Sequence, residues 1–136
     1  MLYEALILLN RAVSTDDNGQ SMNEIPVNRY VDDFIRAVEA EYIERHDVEY
    51  YADKLCITPN YLNKVIRQSL GTTAKLYIHK KLFEEAERLL VYTTLTVTEI
   101  AERLHFDSSS YFIRFFRKQT GITPLKYREK KNSPQK

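Results

Sequence analysis

Apolar residues recur at three- and four-residue steps along most of this chain, the spacing that puts them on one face of an α-helix. Tyr30, Val31, Phe34, Ile35, Val38, Tyr42 and Ile43 predict an amphipathic helix from Asn28 to His46. Asn28 is its expected N-cap, Asp32 and Asp33 suit the positive end of its dipole, and Asp33, Glu39, Glu41 and Glu44 are expected to face solvent. A short helix follows from Val48 to Leu55. Thr58 then caps a helix whose first position is Pro59, where a missing N–H costs nothing. Its Tyr61, Leu62, Val65 and Ile66 turn inward, and Gly71 ends it. Thr73 to Val91 reads as one long helix, with Leu76, Tyr77, Lys80, Phe83, Ala86, Leu89 and Leu90 toward the core. Thr96 and Glu99 make a capping box for another short helix, whose apolar face is Ile100, Ala101 and Leu104. Ser108 caps the next helix, with Tyr111, Phe112, Phe115 and Phe116 inward, and Gly121 ends it. Thr123 and Pro124 open a final short helix through Arg128. Ahead of all these, Leu2 to Val13 reads as an apolar-rich helix too short to be stable alone, and Ser14 to Pro26 as a polar linker.

The pattern is written twice. Ala52 matches Ala101 and Leu55 matches Leu104 at an offset of 49. Beyond the turn the offset is 50: Thr58 matches Ser108, Lys64 matches Arg114, Arg67 matches Arg117, Gly71 matches Gly121 and Tyr77 matches Tyr127. The second copy therefore carries one extra residue in its turn. Each copy is a short helix, a tight turn and a second helix, with a small Ala where two helices must cross closely. Strand-like alternation is absent. The expected fold is all-α: two helix-turn-helix subdomains joined by a long central helix, about seven helices in all, plus an extra N-terminal helix. Residues 1–26 form the first division and residues 27–136 the second.

Charge sharpens the picture. Residues 1–56 hold 5 Lys/Arg against 12 Asp/Glu, a net of −7, while residues 57–136 hold 15 against 7, a net of +8. Such asymmetry points to an anionic partner for the later part, with a solubilising basic tail from Lys126 to Lys136 as the plainer account. On the outer faces of the two second helices stand Asn60, Asn63, Lys64 and Arg67, and Ser109, Ser110, Ile113, Arg114 and Arg117. A helix with a buried aromatic seam and an outward polar and basic face has the shape that enters a DNA major groove. Lys64 and Arg114 can donate to guanine, and Asn60 and Asn63 can pair bidentately with adenine. Arg67, Arg117 and Lys118 are phosphate candidates, as are the helix starts at Thr58, Thr73 and Ser108. At about 1.5 Å per residue, the central helix is long enough to set two such faces on neighbouring turns of DNA.

Other chemistry finds little footing. His46, His79, His105 and Cys56 lack metal-ligand spacing, and no Gly-rich phosphate loop or nucleophile–base pattern is present, so neither a cofactor nor an enzyme is expected. No apolar run is long enough to span a membrane. Met1 to Arg11 lacks the features of a signal peptide, and the single cysteine cannot form an internal disulfide, so a cytoplasmic location is expected. A protein-interaction module, with the duplicated units packed on a polymerase subunit or a sensor domain, is the competing reading.

From Val27 to Arg128 the chain resembles the DNA-binding domain of AraC/XylS-type bacterial transcription regulators. The most specific stretch is Glu85 to Arg128, E-A-E-R-L-L-V-Y-T-T-L-T-V-T-E-I-A-E-R-L-H-F-D-S-S-S-Y-F-I-R-F-F-R-K-Q-T-G-I-T-P-L-K-Y-R. Tyr51 to Leu62, Y-A-D-K-L-C-I-T-P-N-Y-L, resembles the branch common in Bacteroides-type bacteria. The resemblance implies seven helices and sequence-specific double-stranded DNA binding, with two recognition helices in adjacent major-groove segments. It implies Asn60, Asn63, Lys64, Ser109, Ser110 and Arg114 as base-reading positions. It also implies an upstream effector-binding sensor domain absent from this chain, with Leu2 to Val13 as its trailing helix. RNA polymerase is an expected partner, and a homodimer of the full-length protein is left open. His105 departs from a frequent Gly, and Lys81 or Leu82 stands where a linker-helix Arg is usual. Ile113 replaces a frequent Ser.

Overall fold

The computed structural model describes residues 27–132. Among the described residues there are seven helices and no strand: α1 (Val27–Glu41), α2 (Val48–Lys54), α3 (Pro59–Leu70), α4 (Ala74–Tyr92), α5 (Val97–Arg103), α6 (Ser109–Thr120) and α7 (Pro124–Asn132). Hydroxyl side chains set the starts of five of them. Thr58, Thr73, Ser108 and Thr123 each accept the backbone N–H three residues on, at 3.1, 3.1, 3.1 and 3.2 Å. Thr96 and Glu99 close a reciprocal box at 3.1 and 2.8 Å. Each cap satisfies an orphan donor and contributes about 1 kcal/mol. The expected cap at Asn28 is not one, because α1 already runs through it. The segments Leu2 to Val13 and Ser14 to Pro26 lie outside the described residues.

One core joins both subdomains. Phe34, Val38, Tyr51, Ala52, Leu62 and Ile66 supply it from the first, and Ile100, Leu104, Phe112 and Phe116 from the second. Between them α4 buries Ala74, Ile78, Leu82, Ala86, Leu89 and Leu90. That stripe differs from the expected one. Leu76 is 55% exposed and Lys80 is exposed, while Tyr77 and Phe83 are half-buried at the margins. Since α4 touches both subdomains, it is apolar on more than one side, and periodicity alone does not single out its most buried row.

Helix ends shift by physical causes that can be named. Helix α1 stops at Glu41 rather than His46, and a turn comes next in which Tyr42 and Arg45 N–H donate to Val38 and Glu41 carbonyls. The buried Tyr51 needs a partner for its hydroxyl and donates to the Arg45 carbonyl of that turn at 2.7 Å. Burial drives its phenol far above the usual pKa. Helix α7 folds back on the far end of α4. Arg128 donates from Nε to the Leu90 carbonyl at 2.8 Å and from Nη2 to the Thr93 carbonyl at 3.2 Å, so it closes carbonyls left free at the α4 C-terminus. No helix among the described residues is long and apolar enough to cross a membrane.

Candidate nucleic-acid interface

The two units agree bond for bond at their turns. After α2, Cys56 N–H donates to Asp53 O at 3.0 Å and Ile57 N–H to Ala52 O at 3.0 Å; after α5, His105 N–H donates to Glu102 O at 3.0 Å and Phe106 N–H to Ala101 O at 2.9 Å. These crossed pairs are the Schellman ending, which needs a left-handed residue between them. Cys56 and His105 both take that conformation, each at φ 61°. The first unit passes directly to the cap at Thr58. The second inserts Asp107 and buries Phe106 against Phe112 and Phe115, at ring distances of 5.1 and 5.2 Å. The second helix of each unit then runs 12 residues to a left-handed glycine, whose N–H closes on Arg67 or Arg117.

On the outer faces, Asn60, Lys64 and Arg67 of α3 and Ser110, Arg114, Arg117 and Lys118 of α6 are exposed, while Ser109 is half-buried. Lys64 and Arg114 thus hold the same exposed position in their two helices. Asn63 is different. It is half-buried, and its Oδ1 accepts the Ala74 N–H at 3.0 Å, tying α3 to the first residue of α4. With that oxygen engaged, the bidentate adenine pair expected of Asn63 is not available in this geometry. Thr58, Thr73 and Ser108 use their oxygens as caps and keep their O–H groups as donors.

Tyr61 and Tyr111 correct an expectation: neither turns inward, and they are 38% and 44% exposed. Both sit at the third helical position, on the rim between the buried and outer faces. Tyr61 meets Tyr30 edge-on at 5.7 Å, and Tyr111 meets Phe106 at 5.7 Å. The Arg114 guanidinium carbon lies 5.8 Å from the centre of the Tyr111 ring. The signal for these residues in the sequence is their matched position in the repeat.

Charge is sorted by side. Lys54 pairs with Glu41 at 3.0 Å, Lys81 with Glu39 at 2.6 Å, and Arg88 with Glu85 at 2.6 Å. So Glu39 and Glu41 do not simply face solvent; they hold α1 to α4 and α2. Burial works to raise the Glu41 carboxyl, but hydrogen bonds from Tyr50 and Lys54 outweigh it and hold the group below its ordinary value. By contrast Lys64, Arg67, Arg114, Arg117 and Lys118 make no ion pair with a carboxylate among the described residues.

Helices α3 and α6 both meet the first half of α4. Helix α3 is tied to it at Ala74, while α6 crosses it at His79 and Phe83, with Phe115 and Phe116 at ring distances of 5.2 and 5.1 Å. Ala74 and His79 are only about 7.5 Å apart along the helix axis.

A helix-turn-helix domain family matches residues 51–130, which takes in both units from the middle of α2 to α7. The chain belongs to the AraC/XylS-type helix-turn-helix family. Among family relatives, it is 32% identical over 102 residues to the uncharacterized HTH-type transcriptional regulator YtdP of Bacillus subtilis, covering 75% of this chain and 13% of that protein. The C-terminal domain of the two-component response regulator yesN from Fusobacterium nucleatum is 32% identical, with a TM-score of 0.67 over 71% of this chain and 94% of that domain. The DNA-binding domain of AdpA, a global transcriptional factor solved in complex with a target DNA, is 26% identical, with a TM-score of 0.64 over 79% of this chain and 93% of that one. The chain spans less than half the length of the curated relatives it matches. Its fold and its relatives are those of transcription regulators rather than enzymes.

Proposed function

We propose that this chain is the sequence-specific DNA-binding part of a bacterial transcription regulator, entering two successive major-groove segments with α3 and α6. The observation that carries this reading is the repeat of one exposed basic position, Lys64 and Arg114, on two helices built with the same turn and the same cap. In this reading Lys64 and Arg114 read guanine edges, Arg as a fork and Lys as a point charge. Asn60, Ser109 and Ser110 contact bases beside them, Asn63 sets the helix that carries Lys64, and Arg67, Arg117 and Lys118 hold phosphates. The hydroxyls of Thr58, Thr73 and Ser108 and the N–H groups beside them add neutral phosphate donors. An upstream effector-binding domain and RNA polymerase are the protein partners in the same proposal, and the cytoplasm is its location.

The first test is the salt dependence of binding to short random-sequence duplexes. Log K is expected to fall linearly with log salt, as phosphate contacts release counterions. Changing Arg117 to Gln should lower the slope by about 0.9 per contact removed. Binding that ignores salt would favour a protein-interaction module instead.

A further inference from the structure

We propose that the groove between the first turns of α4 and the second half of α6 seats a stretch of the DNA sugar-phosphate backbone, with Lys75 and Lys118 as its two cationic walls. This rests on the DNA-binding reading above and extends the contact on α4 from its Thr73 cap to the side chain of Lys75. The groove holds about 710 Å³, and Lys75, Leu76 and His79 line it from α4, with Arg114, Arg117 and Lys118 from α6. Among the described residues, no Asp or Glu lines it. Lys75 is exposed and makes no ion pair among the described residues, unlike Lys81 and Arg88 further along the same helix.

A second groove of about 550 Å³ shares Lys75 and His79 but is also lined by Glu44, Asp47, Glu49 and Asp107. A polyanion is attracted to the first groove and repelled by the second, so the strand has one path past α4. Lys75 suits this use: an ammonium on a flexible stem tracks a phosphate as a point charge, without the fixed fork that base reading needs. It lies across the groove from the helix that carries Arg114. A strand held there is positioned relative to that reader without contributing sequence information itself.

The test uses the full 136-residue chain with Lys75→Gln, titrated over a range of salt against random-sequence duplex and against duplex selected for tight binding. The slope of log K against log salt should shrink by about 0.9, with the same fold loss on both duplexes. Lys80→Gln, exposed on the same helix but outside the groove, should leave the slope at its wild-type value. A Lys75→Gln slope equal to wild type overturns this site while leaving the DNA-binding reading standing. An equal drop with Lys80→Gln also overturns it, since general charge would then explain the effect. A wild-type chain that binds neither duplex overturns both.

Discussion

Cys56 and His105 sit at φ 61° where each Schellman turn requires a left-handed residue, and neither is glycine. A side chain in that region costs about 1–2 kcal/mol. Glycine gives back roughly half through the entropy of the unfolded chain. Cys56→Gly and His105→Gly should therefore each stabilise the fold by about 0.5–1 kcal/mol, read from urea unfolding. A lower midpoint for either would show that its side chain does more at the turn than its backbone conformation implies. In the proposed reading, Arg114 is the residue on which sequence readout leans most. Arg114→Ala should cost ~1–3 kcal/mol on the preferred duplex and relax the preference at one base step. An equal loss on random duplex would make it a phosphate contact.

At the scale of elements, each recognition helix is joined to its successor in its own way, yet with one logic. Ala74 has an N–H at the first position of α4, and Asn63 accepts it. Pro124 holds the matching position in α7 and has no N–H, and the matching residue of α6 is Ile113, which has nothing to accept. The change from Asn to Ile and the change from Ala to Pro are thus one arrangement and its counterpart. Asn63→Ala should cost about 1 kcal/mol, because a helix-start donor loses its partner. In an Ala74→Pro background, where that donor is gone, the same change should cost much less. Equal costs in both backgrounds would separate the two positions. The sequence carried the helices, four of the five hydroxyl caps and the repeat, because those are local: a cap, a period and an offset can be read along the chain; Thr73 read as the first residue of its helix and is the cap instead. The Asn63 bond spans 11 residues to a backbone N–H, and no side-chain pattern announces it. The inward row of α4 and the exposed rings of Tyr61 and Tyr111 were likewise hidden, since each depends on where a second helix lies. The left-handed turns were half legible. The His105 departure marked the place, but Cys56, its counterpart, carried no such mark.

At the scale of the whole molecule, one apolar core holds two copies of a motif while charge is divided between faces. Carboxylates of α1 are used in pairs with α2 and α4, and the cations of α3 and α6 have no carboxylate partner among the described residues. Two phenols tie the ends of the structure together. Tyr51 holds the α1–α2 turn, and Tyr127 donates to Glu87 at 2.5 Å, joining α7 to α4. Burial and the bond to Glu87 push the Tyr127 phenol up to about 12, against about 10 when unfolded. The stability tied to that shift is fully present below about pH 10 and is lost as pH rises through about 12. Unfolding free energy should begin to drop above about pH 10, and Tyr127→Phe should flatten the decline; an unchanged decline would assign alkaline instability elsewhere.

In the proposed function both units grip DNA together. Selecting bound duplexes from a random pool with the full chain tests it most directly. One bipartite motif is expected, two short segments about 10 bp apart centre to centre, with the Lys64→Ala chain losing one segment and the Arg114→Ala chain losing the other. A single segment abolished by Arg114→Ala and indifferent to Lys64→Ala would contradict it.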